Sequence, residues 1–283
     1  MPVTVSRPGP PVRRPPLDRA ALVAAGGWRF EVVEQSASTN ADVAARFRAG
    51  EPAGLALAAE HQTAGRGRLD RSWVTPARSS LTVSFLLVPD GVPVGRWPWL
   101  PLLAGDAVAS AVRRCASGLA ADVALKWPND VLCSDRWGDR KLAGVLLERV
   151  EAGGRAAAVV GVGLNASQVA RELPVGTATS LALEGIGEPD RTGLLVAVGD
   201  ELATRVGAWA AADGEPETVR SSYLQLCRTL GRRVRVELPG QGALEGRAVD
   251  VDADGRLVLE TAGGERRIGA GDVVHVRPGR SGA

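Results

Sequence analysis

A chain of 283 residues, 45% hydrophobic and 23% charged, is long enough to bury a substantial core as one large domain or two unequal ones. A formal net charge of +2 falls far short of the basic footprint of a dedicated nucleic-acid binder, and no apolar run is long enough to span a bilayer. Three cysteines without CxxC spacing and only two histidines argue against a zinc cluster, a His-based triad or a disulfide framework, and no secretory apolar segment opens the chain, so a cytoplasmic protein is expected.

Residues 1–16 hold six prolines and the pair Arg13-Arg14, which reads as a disordered or polyproline-type leader. A short helix is expected near 18–25 and a strand over 28–33. The polar segment Gln35 to Asn40 then feeds a helix over 41–49, closed by Gly50. Ser38 or Thr39 can cap that helix, and Thr39 with Asp42 has capping-box spacing. This helix start would either serve only as a cap or lend its spare N–H groups to a polar ligand.

Short runs rich in Leu, Val and Ala at 55–59, 81–88, 142–147 and 157–164 fit buried strands of a central sheet, joined by 123–126. Helical periodicity recurs near 99–117, 190–211 and 215–229. The order is not a regular βαβ repeat, so the fold class is α+β, a mixed sheet flanked by helices. After Gly231 the texture becomes hairpin-like, with alternating strands at 233–237, 243–250, 256–260, 265–268 and 273–276. They suggest a small SH3-like β-barrel. The expected division is a leader (1–16), a main domain (17–229), the barrel (230–277) and a tail (278–283).

Four motifs can carry chemistry. Gly65-Arg66-Gly67-Arg68-Leu69-Asp70-Arg71-Ser72-Trp73 offers three planar guanidinium donors on a glycine-loosened turn, suited to enclosing an anion. The same composition also occurs in solvated or RNA-contacting loops. Lys126-Trp127-Pro128-Asn129-Asp130 presents an amide and a carboxylate at a strand end. These either make an ordinary turn or help hold a nucleotide phosphate with Mg2+. Lys141-Leu142-Ala143-Gly144-Val145-Leu146-Leu147-Glu148 sets a lone cation in an apolar strand, which snorkels to solvent or stands at a pocket mouth where an anion arrives. Gly161-Val162-Gly163-Leu164-Asn165 ends a buried strand on an amide.

In this order the motifs resemble those of the biotin protein ligase family over roughly residues 30–170. Ser38-Thr39-Asn40, Gln62 with Gly65 to Arg68, Lys126 to Asp130, Lys141 to Gly144 and Gly161 to Asn165 all align. The resemblance implies a class II synthetase-like catalytic domain over 17–229, with the C-terminal barrel as the family's second part. It also implies the chemistry: ATP with Mg2+ converts biotin to biotinyl-5′-AMP, and a lysine of a biotin carboxyl carrier domain then takes the biotinyl group. Ser38, Thr39, Asn40, Gln62, Gly65, Arg66 and Gly144 would bind biotin. Arg68 and Lys141 would serve at the reacting carboxylate and α-phosphate. Arg71, Trp73, Lys126, Asn129 and Asn165 would lie on the nucleotide side, with Trp73 covering the adenine.

Asp130 would orient or deprotonate the acceptor amine, position a metal, or be structural. The arginine loop is expected to be mobile when empty, because three unpaired guanidinium groups are unfavourable to bury. Asp70 departs from the family pattern by placing a carboxylate among the arginines, where Arg68 or Arg71 could pair with it. Cys133 to Arg140 reads as a surface hairpin tip. The residues ahead of the first strand are too few for the winged helix of the repressor forms, so no nucleic-acid partner is expected, and no membrane. A lipoate ligase and a non-catalytic RNA- or partner-binding protein remain the alternatives.

Overall fold

The computed structural model describes residues 13–275 apart from Asp70, 120–121, 136–137 and 239–241. In chain order the elements are α1 (Arg19–Ala25), β1 (Arg29–Val33), α2 (Thr39–Arg48), β2 (Leu55–Ala59), β3 (Ser80–Leu87) and α3 (Leu100–Cys115). Then come β4 (Val123–Lys126), β5 (Asp130–Asp135), β6 (Gly138–Ala152), β7 (Arg155–Asn165), α4 (Arg191–Ala211) and α5 (Glu217–Leu226). The C-terminal part holds β8 (Arg233–Leu238), β9 (Gly242–Val251), β10 (Leu257–Thr261), β11 (Gly264–Ile268) and β12 (Asp272–His275).

The first seven strands form one sheet in the order β1-β2-β3-β7-β6-β5-β4. Only β1 and β2 run parallel; every other neighbouring pair is antiparallel, giving the expected mixed sheet. Its strands are apolar without alternation because helices cover both faces. Ala56, Ala58, Val83, Phe85, Ala158 and Val160 pack towards α3 and α4, while Leu55, Leu57, Leu86, Val150, Ala157 and Val159 meet Val43 and Phe47 of α2. The remaining five strands form an antiparallel sheet in the order β11-β10-β9-β8-β12.

Of the two expected caps Ser38 is the one used, accepting from the Ala41 N–H at 3.4 Å. Three local features differ from the sequence reading. α2 starts at Thr39, two residues earlier than expected. Asp42 accepts from the Ser36 hydroxyl at 2.6 Å, and the Thr39–Asp42 capping box does not form. α5 stops at Leu226, three residues early, because Cys227 leaves the helix to bridge Leu125 and Arg228 N–H bonds the Leu125 carbonyl at 2.8 Å.

Residues 13–16 are also tied down where a disordered leader was expected. Arg14 pairs with Glu172 at 2.5 Å, and the Pro15 carbonyl accepts from Arg191 at 2.6 Å. The leader before Arg13, the Asp70 pairing, the tip at 136–137 and the tail beyond His275 lie outside the described residues.

The two sheets are joined by tryptophan. The Trp99 indole donates to the Ala253 carbonyl at 2.8 Å and the Trp127 indole to the Gly255 carbonyl at 3.0 Å, both carbonyls in the β9–β10 connection. Trp127, although set in a polar motif, is 1% exposed and acts as an anchor. His275 of β12 meets Asp139 of β6 at 3.0 Å, beside Arg232.

Candidate active site

The α2 face of the sheet changes character along its length. Under the body of α2 it carries Leu86, Val150 and Val159; beyond the helix start the same face presents Thr82, Ser84, Gly144, Gly161 and Gly163. Shrinking these side chains opens a cavity of about 690 Å³ between the sheet, the start of α2, the arginine loop and the segment 174–178. That volume suits a small-molecule site. Its floor is written in strand parity: Gly163 pairs Thr82 and Gly144, and Gly161 pairs Ser84 and Leu146.

One end of the cavity is neutral and buried. The connections leaving β1 and β2 run side by side, bridging Ser36 to Gln62, which brings Gln62 against the start of α2. Gln62 Oε1 accepts from the Thr39 N–H at 2.8 Å and from the Thr39 hydroxyl at 3.0 Å. One orphan donor of the helix start is thereby satisfied, and the Gln62 amide nitrogen is the end left for a ligand. Ser38, Thr39, Asn40 and Gln62 are all buried and all line the cavity.

The other end is charged and more open. Lys141 Nζ lies 2.6 Å from Asp130 Oδ1 and 5.9 Å from the centroid of Trp73. The lone cation in an apolar strand is therefore paired, at the cavity wall, with the carboxylate of the neighbouring strand. Segment 177–179 lies alongside: the Lys141 N–H donates to the Thr177 carbonyl at 2.7 Å, and the Thr179 N–H to the Lys141 carbonyl at 2.9 Å. Asn129 is held by Val145 through its side-chain amide at 2.8 Å, which turns its oxygen towards Arg68.

The arginine loop closes over this end, with the Trp73 N–H bonded to the Gly65 carbonyl at 2.8 Å and Leu69 in the left-handed region at φ 52°. Its three arginines are not equivalent. Arg66 pairs with Glu148 at 3.0 Å, and Arg71 pairs with Asp272 of β12, which raises its pKa above the usual guanidinium range. Arg68, between them, finds only neutral hydrogen-bond partners among the described residues, the Asn129 side-chain oxygen and the Gly271 carbonyl, each at 3.3 Å. Burial pulls its pKa down, against the opposing pull of Asp130. Among the described residues the outer two arginines thus have carboxylate partners, and the central one has none within ion-pair distance.

The Trp73 ring packs against Gly163 of β7 and beside Gly144 of β6. A Cβ at Gly163 would come within 2.4 Å of its ring, so only glycine admits the tryptophan here. Its indole nitrogen is buried without a hydrogen-bond partner. Asn165 also reaches the wall, but its amide is spent on the chain, donating to the Thr179 carbonyl at 2.8 Å and accepting from Gln168 at 2.9 Å. Gly65 and Lys126 stand outside the lining; Lys126 Nζ is 4.0 Å from Asp130 Oδ2.

Sequence reading missed the floor residue Thr82, the wall residues Val175 and Thr177, and the contribution of Gly271 and Asp272 from the C-terminal sheet; it also missed Ser84, which bonds Thr39 and Asn40 from beneath. Gly161 and Gly163 were visible as a motif, without a role. No cluster of three His, Cys, Asp or Glu side chains able to hold a metal occurs among the described residues, and none of their helices is long and apolar enough to cross a membrane.

Residues 32–165 match the family model described as Biotin/lipoate A/B protein ligase family, and residues 229–276 that described as Biotin protein ligase C terminal domain. The chain is 43% identical over 271 residues to the biotin--[acetyl-CoA-carboxylase] ligase of Mycobacterium tuberculosis, covering 93% of this chain and 97% of that one. A biotin protein ligase of Aquifex aeolicus, solved in complex with biotin and ATP, superposes with a TM-score of 0.70 at 28% identity over 88% of this chain and 99% of its own. That of Leishmania major in complex with biotinyl-5-AMP gives 0.58 at 27% identity over 85% and 98%. The chain belongs to the biotin protein ligase family.

Proposed function

We propose that the chain activates biotin with ATP to biotinyl-5′-AMP and transfers the biotinyl group to a lysine of a biotin carboxyl carrier domain. The observation that carries this reading is the polarity of one cavity: a neutral, prearranged hydrogen-bonding end at Thr39 and Gln62, and a cationic end at Arg68 and Lys141. A ligand with a polar uncharged head and an acidic tail would lie along that axis. The relatives named above support biotin as that ligand and ATP as its partner.

Joining a carboxylate to a triphosphate brings two anions together, so the chief requirement is charge stabilisation with both substrates held in line. Arg68 and Lys141 supply the charge. A biotin carboxylate oxygen attacks the α-phosphorus, the bond to the β-phosphate oxygen breaks, and pyrophosphate leaves. In the second step the acceptor amine attacks the acyl carbon, AMP leaves, and the amine gives up a proton. Asp130 Oδ1 positions Lys141, while Oδ2, 4.0 Å from Lys126, is open to that amine.

A resident metal does not fit Asp130, whose oxygens face Lys141 and Lys126 and which belongs to no group of three His, Cys, Asp or Glu side chains among the described residues. Mg2+ belongs here to the nucleotide, as part of the ATP substrate. Trp73 offers an aromatic wall to the ligand. Lys126 acts from behind through Asp130.

Mass spectrometry of a carrier domain incubated with the chain, ATP and biotin tests the reading. The expected result is one biotinyl group on one lysine, with pyrophosphate and AMP released. No mass gain, or modification with lipoate in preference to biotin, would overturn it.

A further inference from the structure

Glu148 lies on β6 just beyond the cavity floor, on the same face as Gly144 and Leu146, and none of the chemistry above uses it. Its carboxylate joins two parts of the site. Arg66 Nη2 donates to both oxygens, at 3.0 and 3.1 Å, and the Asn40 amide nitrogen donates to Oε1 at 3.0 Å.

Asn40 has no freedom to answer by moving. It is 4% exposed at the start of α2 and sits so close to β7 that a Cβ on Gly161 would come within 2.3 Å of its side-chain oxygen. Its orientation is set by its partners. With the amide nitrogen on Glu148 and, at 3.3 Å, on the Leu146 carbonyl, the amide oxygen faces the Ser84 hydroxyl at 2.6 Å. Ser84 Oγ in turn lies 2.7 Å from Thr39 Oγ1, and the Thr39 hydroxyl donates to Gln62 Oε1. Turning the amide over would set oxygen against carboxylate and NH2 against a hydroxyl whose proton would then be free to go elsewhere. Ser84 has one proton for two acceptors, Asn40 Oδ1 and Thr39 Oγ1, so the orientation of Asn40 decides whether that proton reaches Thr39, and Glu148 links that choice to the first arginine of the loop.

We infer that Glu148 is a positioning residue for the ligase reaction: it couples closure of the arginine loop, through Arg66, to the hydrogen-bond orientation of Asn40, Ser84 and Thr39 at the biotin head. This rests on the proposed function and adds a role to a side chain that touches no reacting atom. The arrangement makes a bound head group and a shut loop favour one another, because both depend on the same carboxylate.

Glu148→Gln is the informative variant, since it keeps the volume and one acceptor oxygen while removing the charge. The Arg66–Glu148 pair is half-exposed, so release of biotinyl-5′-AMP is expected to quicken by about threefold to fivefold. The biotin KM should rise by a similar factor, with kcat for pyrophosphate release changed by less than about twofold. Arg66→Gln should speed release comparably, and the double variant should be no leakier than either single one. Additive effects in the double variant, or a lowered Tm with release and KM unchanged, would leave Glu148 a merely structural role and overturn the inference. A parent chain that forms no adenylate refutes the proposed function itself. A parent that forms and holds it, with Glu148→Gln behaving alike, refutes the coupling alone.

Discussion

The two ends of the cavity are built on opposite principles. At the neutral end Thr39, Gln62, Ser84 and Asn40 are buried and bonded to one another, so their geometry is set before a ligand arrives. At the charged end Arg68 has only carbonyl-type partners among the described residues, at 3.3 Å, and Lys141 leans on the carboxylate of Asp130. Prearranged neutral hydrogen bonds favour recognition, because a ligand that fails to complete them leaves buried groups unpaired. An undercompensated charge favours reaction, because the missing partner is the charge that develops there.

Substitutions at each end should break this contrast in different kinetic constants. Lys141→Ala is expected to have the largest effect, lowering the rate of pyrophosphate release by about 10²–10³-fold, with the fold intact by circular dichroism. Near-normal turnover would remove Lys141 from the reaction. Arg68→Gly should next speed escape of the adenylate by about tenfold or more, read as loss of labelled intermediate from the enzyme on gel filtration. Retention equal to the parent would show that the loop does not hold the intermediate.

Thr39→Val, at the opposite end, should raise the biotin KM by about tenfold while kcat moves little. A fall in kcat instead would mean that the neutral end also serves the chemical step. The smallest effect is expected away from both ends. The hydrogen bond from His275, with those of Ser134 and Arg232, holds the Asp139 carboxyl well below its usual range. A carboxyl lowered in the folded state stabilises it above the unfolded value near 3.8 and loses that contribution as pH falls further. Asp139→Asn should therefore lower Tm at neutral pH and narrow the gap to the parent below about pH 4; an unchanged gap would dismiss this contact as a tie between the sheets.

Much of the fold was legible because the strands are apolar runs bounded by glycine and the C-terminal hairpins carry their turn residues. Lys141 was legible as well, since a single cation in a run of Leu, Ala and Val has few innocent explanations. What escaped depended on neighbours remote in sequence. Thr82 and Ser84 look like ordinary strand residues until pairing sets them opposite Gly163 and Gly161. Asn165 looked like a nucleotide contact, yet its amide is spent on Thr179 and Gln168, which no spacing rule reports. Trp127 drew attention for its polar surroundings and turned out to be a hook for a carbonyl 128 residues away. The unequal pairing of the three loop arginines likewise depends on Glu148 and Asp272, carboxylates contributed by different sheets.

That hook has a consequence for how the protein can be trimmed. The backbone N–H of Trp127 rests on the Thr229 hydroxyl at 3.1 Å and its indole on Gly255, so the turn leading into Asn129 and Asp130 hangs from the C-terminal sheet. Shortening the polypeptide at residue 229 would remove more than an appendage: it would unmoor the stretch that brings Asn129 and Asp130 to the cavity, and the remaining fragment should lose adenylation along with its tail.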